Sequence, residues 1–269
     1  MSVHSSWLPT TPTASKWRNS ACDCLDVLHW PANSKIARQL GIEHHTILQL
    51  HLARLIILTP TSHIQSLASL TGSASPESTR NEHRTPYVLA RQQVLQWVVR
   101  DRYKARLSII HCGTLYWHVR RYSCDSILEP FAIYIATLIL WAFCLSMQMP
   151  EVVEAVDQDG QEIPEPSFLH LDRPLDDELV QTFVRVGHKV AAFISKVGNI
   201  RDQGAPRKVL QEGIFLLSGD APVSAPGGHE PSVERHSRQS PTWGIEESYV
   251  KVLRNLLVTM PENASLTWF

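Results

Sequence analysis

Thirteen histidines and five cysteines hold most of the potential chemistry in this 269-residue chain. A metal ion needs ligands that converge within a few ångströms, and on a single helix that means a pair at i and i+4. His111 and His118 are seven apart, as are His44 and His51, which separates each pair by roughly 10 Å along a helix axis. Neither pair closes on one ion without ligands from elsewhere. Cys22-Asp23-Cys24 with His29 lacks the second Cys-x-x-Cys half of a structural zinc site, so packing or solvent exposure is its reading. His188 follows Gly187 in an amphipathic pattern and reads as a surface or core histidine. No metal or cofactor is expected in this chain.

Nucleophilic catalysis requires its own geometries, and their motifs are missing. The sequence contains no Gly-x-Ser-x-Gly elbow, no phosphate-cradling glycine loop and no Ser-x-x-Lys pair. The "TGSAS" around Ser73 lacks a second glycine, and "APGG" around Gly227 has no Lys-Ser/Thr after it. Acids are plentiful between residues 151 and 178, but a general acid needs burial to tune its pKa, and a proline-rich stretch argues for solvation. The chain reads as a non-enzyme. Arg100, Arg102, Lys104 and Arg106 alternate at two-residue steps, which spreads them over two helix faces as a solvated surface. Arg120 and Arg121 differ, because Trp117, Tyr122 and Asp125 surround them. Ion pairs and aromatic stacking there could fix a corner between two helices.

The elements that must position these residues are helical. Residues 1–42 are rich in Ser, Thr and Pro with isolated tryptophans, which predicts irregular structure with a short helix at Ala21 to Leu28. From Glu43, Ile47, Leu48, Leu52, Leu55 and Ile56 recur at helical steps until Pro60. The polar "TGSASPESTRNEHRT" at 71–85 reads as a loop, and Pro86 is placed to open a helical stretch to Tyr122, either one helix or two joined near Asp101, with Gly113 its weak point. Ser126 and Glu129, or Pro130 in a first turn, put the next helix start near residue 128. An acidic linker then precedes "PLDDELVQTFVRVGHKVAAFISKVG", read as one amphipathic helix ending before Gly198. Pro206 and Gly219 bracket a further short helix, residues 218–242 lack the apolar content to fold, and residues 243–269 hold a last helix that packs back on the rest. With no convincing strand pair, the class is all-α: an irregular helical bundle around a central apolar helix, spanning 43–217, and part of a larger domain.

That central helix poses a choice of solvent, since no charged residue occurs from Phe131 to Met149. Nineteen helical residues nearly span a bilayer's hydrocarbon layer, and Arg120 and Arg121 before the run with Glu151 and Glu154 after it even satisfy a charge rule. Against this, several other segments present apolar faces that need a common partner, and a helix apolar all round meets that need at the centre of a bundle. The balance favours protein core, so no membrane partner is expected. Lys and Arg total 25 against 26 for Asp and Glu, without the basic excess of nucleic-acid binding. The scattered, odd-numbered cysteines suit a reducing compartment, and the N-terminus shows neither a secretory nor an import pattern.

Three blocks, "EHHTILQLHLARLIILTPTSHIQSLAS", "RDRYKARLSIIHCGTLYWHVRRYSCDSILEPFAIYIATLILWAF" and "LDRPLDDELVQTFVRVGHKV", together resemble the C-terminal part of the regulatory domain of fungal-specific zinc-finger transcription factors. The Trp117 to Phe143 block is the most specific, with Trp117, His118, Arg120, Arg121, Tyr122, Glu129, Pro130, Phe131 and Trp141 as its signature. The resemblance implies an all-α regulatory domain in the nucleus, acting on RNA polymerase II transcription with other regulatory proteins as partners. DNA and zinc would be bound by a separate module N-terminal to it, and the five cysteines here cannot supply one. The chain begins partway into the expected domain, so an exposed apolar surface and self-association are also expected.

Overall fold

The structure, a computed structural model, describes residues 12–38, 45–72, 80–122, 126–149, 152, 167–173, 177–187, 190–218 and 244–260. Among them nine helices surround one another with a small sheet at one side. The helices are α1 (Pro12–Arg38), α2 (His45–Leu58), α3 (Thr61–Gly72), α4 (Arg80–Arg100), α5 (Arg102–Tyr122), α6 (Leu128–Ser146), α7 (Asp177–Val186), α8 (Ala205–Ser218) and α9 (Ile245–Thr259). The strands are β1 (Ser167–His170), β2 (Val190–Ile194) and β3 (Gly198–Asn199). The class is all-α in character, as the sequence predicts.

Helix α6 is the axis of the bundle. It contacts α2, α3, α4, α5, α8 and α9, so a helix without a polar face finds apolar partners on every side. Everything from Ala132 to Ser146 is buried, and 89% of its most apolar window is covered by protein. Its few polar groups are satisfied locally: Thr137 Oγ1 donates to the Ile133 carbonyl and Ser146 Oγ to that of Ala142, each at 2.7 Å. Just past its end, Gln148 Nε2 donates to the carbonyls of Asp202 and Gln203. One continuous apolar core extends from Leu48 on α2 to Met260 after α9.

Two helices, not one, fill residues 80–122. They break at Asp101, whose carboxylate accepts from Arg18 Nη2 on α1 at 2.6 Å, while Trp97 Nε1 ties the end of α4 to the Leu58 carbonyl of α2 at 2.9 Å. Gly113 is no weak point. A Cβ there would overlap the Leu171 carbonyl, so the glycine lets the chain after β1 lie against α5.

The structure also departs from the sequence reading elsewhere. Residues 12–38 form a helix longer than the one expected at Ala21 to Leu28; its Arg18 is buried against Asp101 while Trp17 and Val27 stay exposed, so contact with α2 supports what local propensity does not. Helix α3 begins directly after Pro60, so that proline separates two helices. Helix α4 starts at Arg80, which leaves Pro86 inside it. A further departure concerns residues 177–198, where α7 stops at Val186 and "VAAFI" forms strand β2, parallel to β1 with Phe168 beside Ala191 and antiparallel to β3. Val190 and Ile194 fit both a helical step of four and an alternating strand, and the alternate burial of Val190, Ala192 and Ile194 is that of a strand. The turn into β3 holds Lys196 at φ 69° and Gly198 at φ 90°. Of the acidic linker, residues 150, 151 and 153–166 lie outside the described residues, as do the segment 219–243 and His188.

Candidate functional site

The signature residues gather at the end of α5 and along α6. Trp117 and Tyr122 meet edge to face with ring centres 5.5 Å apart, and His118, buried, tilts against Tyr122 at 5.8 Å. The Arg121 guanidinium lies over both Trp117 and Tyr122. Glu129 and Pro130 are buried in the first turn of α6, whose start at Leu128 matches the expected boundary. Ile127 at the N-cap contributes no side-chain bond; Ser126, one residue before it, accepts from the Leu128 amide on its Oγ at 3.4 Å and from the Glu129 amide on its carbonyl at 2.9 Å. Phe131 is half-buried against Tyr249 of α9. Trp141 is fully buried, and its indole N–H has no acceptor among the described residues.

Arg120 is the polar centre of this corner. Its Nη1 donates to Asp172 Oδ2 at 2.5 Å, its Nε and Nη2 to Glu212 Oε1 at 3.1 and 2.9 Å, and its Nη2 also to the Ser195 carbonyl at 3.1 Å. Asp172 in turn accepts from the Ser195 amide at 3.0 Å. One guanidinium thus joins α5, the chain after β1, the β2–β3 turn and α8, using the fork geometry that suits arginine to carboxylates. Burial pushes the Glu212 carboxyl up, while Arg120 and Lys196 pull it down. Beside this group, Tyr116 Oη and Thr137 Oγ1 are hydrogen-bonded at 2.8 Å, and Gly213 of α8 has no side chain where Thr137 approaches. The expected ion pair with Asp125 falls outside the described residues; among the described residues the acids that hold Arg120 are Asp172 and Glu212. Sequence reasoning missed both, though a carboxylate beside apolar "FLHL" and another before Gly213 in "VLQEGIFLL" were the available signal.

The histidines that cannot meet within one helix meet between two. His51 of α2 and His111 of α5 are buried with their Nδ1 atoms 3.0 Å apart, an arrangement in which one ring donates and the other, unprotonated at that atom, accepts. Burial pushes both pKa values down, and neighbouring cations add to it; His111 reaches about 3. His29 of α1 stacks edge-on against His51, and Arg54 bridges to His29 and Asp26. No group of three or more metal-ligating side chains converges among the described residues. Cys112 and Cys144 are buried, and burial pushes both thiols up, Cys144 to about 12, so they are held as thiols rather than nucleophilic thiolates.

These groups organise charge and hold helices together. Their chemistry is that of fixed ion pairs and neutral imidazoles. No family model, no curated protein and no solved structure matches the chain.

Proposed function

We propose that this chain is the regulatory, non-DNA-contacting part of a fungal transcription factor, acting in the nucleus on RNA polymerase II transcription. Its partners are other transcription-regulatory proteins, and it reaches DNA only through a zinc module or partner encoded elsewhere. The observation that carries this reading is the Trp117–Phe143 block, which resembles that family in sequence and here forms the aromatic, Arg120-centred corner and the buried axis of a helical bundle. The all-α class is the one that resemblance implies.

The direct test fuses the chain to a heterologous DNA-binding domain and measures a reporter with the matching operator. A change in transcription supports the reading, and no change in either direction, with the fusion shown to be nuclear and folded, removes it. A second reading, a single-span membrane protein anchored by 131–149, draws on the length and apolar composition of the Leu128–Ser146 helix. Alkaline extraction of cell membranes separates the two, because a span stays with the lipid and a bundle helix does not.

A further inference from the structure

Helix α1 meets the rest of the bundle through polar groups. Arg18 Nη2 donates to Asp101 Oδ2 at 2.6 Å, and Asp26 accepts from Arg54 Nη2 of α2. Arg54 Nη1 also donates to His29 Nδ1 at 3.2 Å. The apolar core contains none of the described side chains of α1, and Trp17, Val27 and Leu28 stay exposed. Beneath the helix lies the buried His51–His111 pair, with the His29 ring edge-on to His51 at 5.2 Å.

Two nitrogen atoms at this interface have to be free of a proton. One of the facing Nδ1 atoms of His51 and His111 accepts from the other, and His29 Nδ1 accepts from a guanidinium that has only donors. A proton on either acceptor sets a donor against a donor. The surrounding charges do not compensate it. From α2 the neighbour is Arg54, a cation, and from α5 it is His118. Among the described residues the acid in contact is Asp26 of α1, which is bonded to Arg54. Farther along the interface, Arg18 and Lys104 share Asp101, and α6, packed against both α2 and α5, has no charged residue from Phe131 onward.

Water reaches the rings, and a proton is accommodated, once α1 leaves. While α1 is docked, burial holds the pKa values of His51 and His111 below 6.5, and exposure returns them to it. Docking is therefore undiminished above that value and weakens as pH falls below it. The population with α1 released grows about tenfold per pH unit for each imidazole it exposes. Segments with few apolar contacts open ahead of the core.

We propose that α1 is an acid-released arm: mild acidification detaches it from α2 and α5 while the bundle around α6 stays folded, uncovering a cationic face of His51, Arg54 and His111. The device stands on the contacts among α1, α2 and α5 and does not depend on a role in transcription.

Hydrogen exchange of the full chain at pH 6.5 and pH 5.0, corrected for intrinsic rates, tests it. At both values the amides of α1 have an opening constant at least about tenfold above those of α6, and acidification raises the α1 constant at least about tenfold. His51→Gln/His111→Gln loses most of that rise. Asp101→Asn removes an anchor of Arg18 without touching a histidine, so it speeds α1 exchange at both values and keeps the rise, which separates the acid response from simple loosening. The unsubstituted chain decides the first two points by itself. One common opening constant for α1 and α6, an α1 constant that acid leaves unchanged, or an undiminished rise in the double histidine variant would overturn the proposal.

Discussion

Arg120 on α5 and Glu212 on α8 are 92 residues apart in sequence, yet their side chains meet at 2.9 Å beside the central helix. Asp172 completes the group from a third element. Removing the cation strands two buried acids, and breaking a buried pair from one side costs about 3 kcal/mol or more. Urea unfolding at pH 7 is therefore expected to show Arg120→Met destabilised by that order. Glu212→Gln keeps an acceptor at the same place and should cost about 1 kcal/mol. The reverse ranking of the two variants would mean that Arg120 is not the hub.

The His51–His111 pair makes stability depend on acid. Both pKa values are depressed in the folded state relative to the ordinary 6.5, so the unfolded chain binds protons that the folded chain refuses. Stability from this source is complete above pH 6.5 and falls as pH drops from there towards about 3, the folded value of His111. The slope is about 1.4 kcal/mol per pH unit for each imidazole that is charged only when unfolded. Denaturant titrations at pH 7 and pH 5 should show a clear loss in the native chain and a smaller one in His51→Gln/His111→Gln. Parallel pH dependence in the two proteins would exclude the pair as the cause.

Gly113 separates local from tertiary reasoning. Helix propensity alone makes Gly113→Ala stabilising by about 1 kcal/mol, whereas the overlap with the Leu171 backbone makes it destabilising by about 2 kcal/mol. A thermal melt decides between opposite signs. A raised midpoint would show that the chain after β1 does not lie against α5.

Thiol reactivity follows burial. Cys24 is exposed, whereas Cys112 and Cys144 are buried as thiols. In a variant carrying Cys22→Ser, Cys24→Ser and Cys124→Ser, the two remaining thiols should react with an aromatic disulfide only as fast as the protein unfolds. Rapid labelling in native buffer would place one of them at the surface.

Helices α2, α5 and α9 were legible because their apolar residues recur at three- and four-residue steps, α6 because it is an uncharged run, and α8 because Pro206 and Gly219 bracket it. The start of α6 at Leu128 was legible because first-turn chemistry is local, whereas the stretch from Pro86 to Tyr122 read equally as one helix or two, and the structure has two. Strand β2 was not, because Val190 and Ile194 satisfy both periods and only pairing with Ser167–His170 decides between them. The corner's arginine was visible in "WHVRRY", but its acids were not, because an ion pair 92 residues apart has no sequence spacing to read.

By itself, then, the sequence determined the helical class and the place of the uncharged run as the most apolar element. Those properties follow from local steric preference and from the period of the apolar pattern, both carried by neighbouring residues. Tertiary structure decided which histidines meet, which carboxylates hold Arg120 and why position 113 must be glycine. Each of these depends on distances between segments far apart in the chain, which only the packing of the helices against α6 sets.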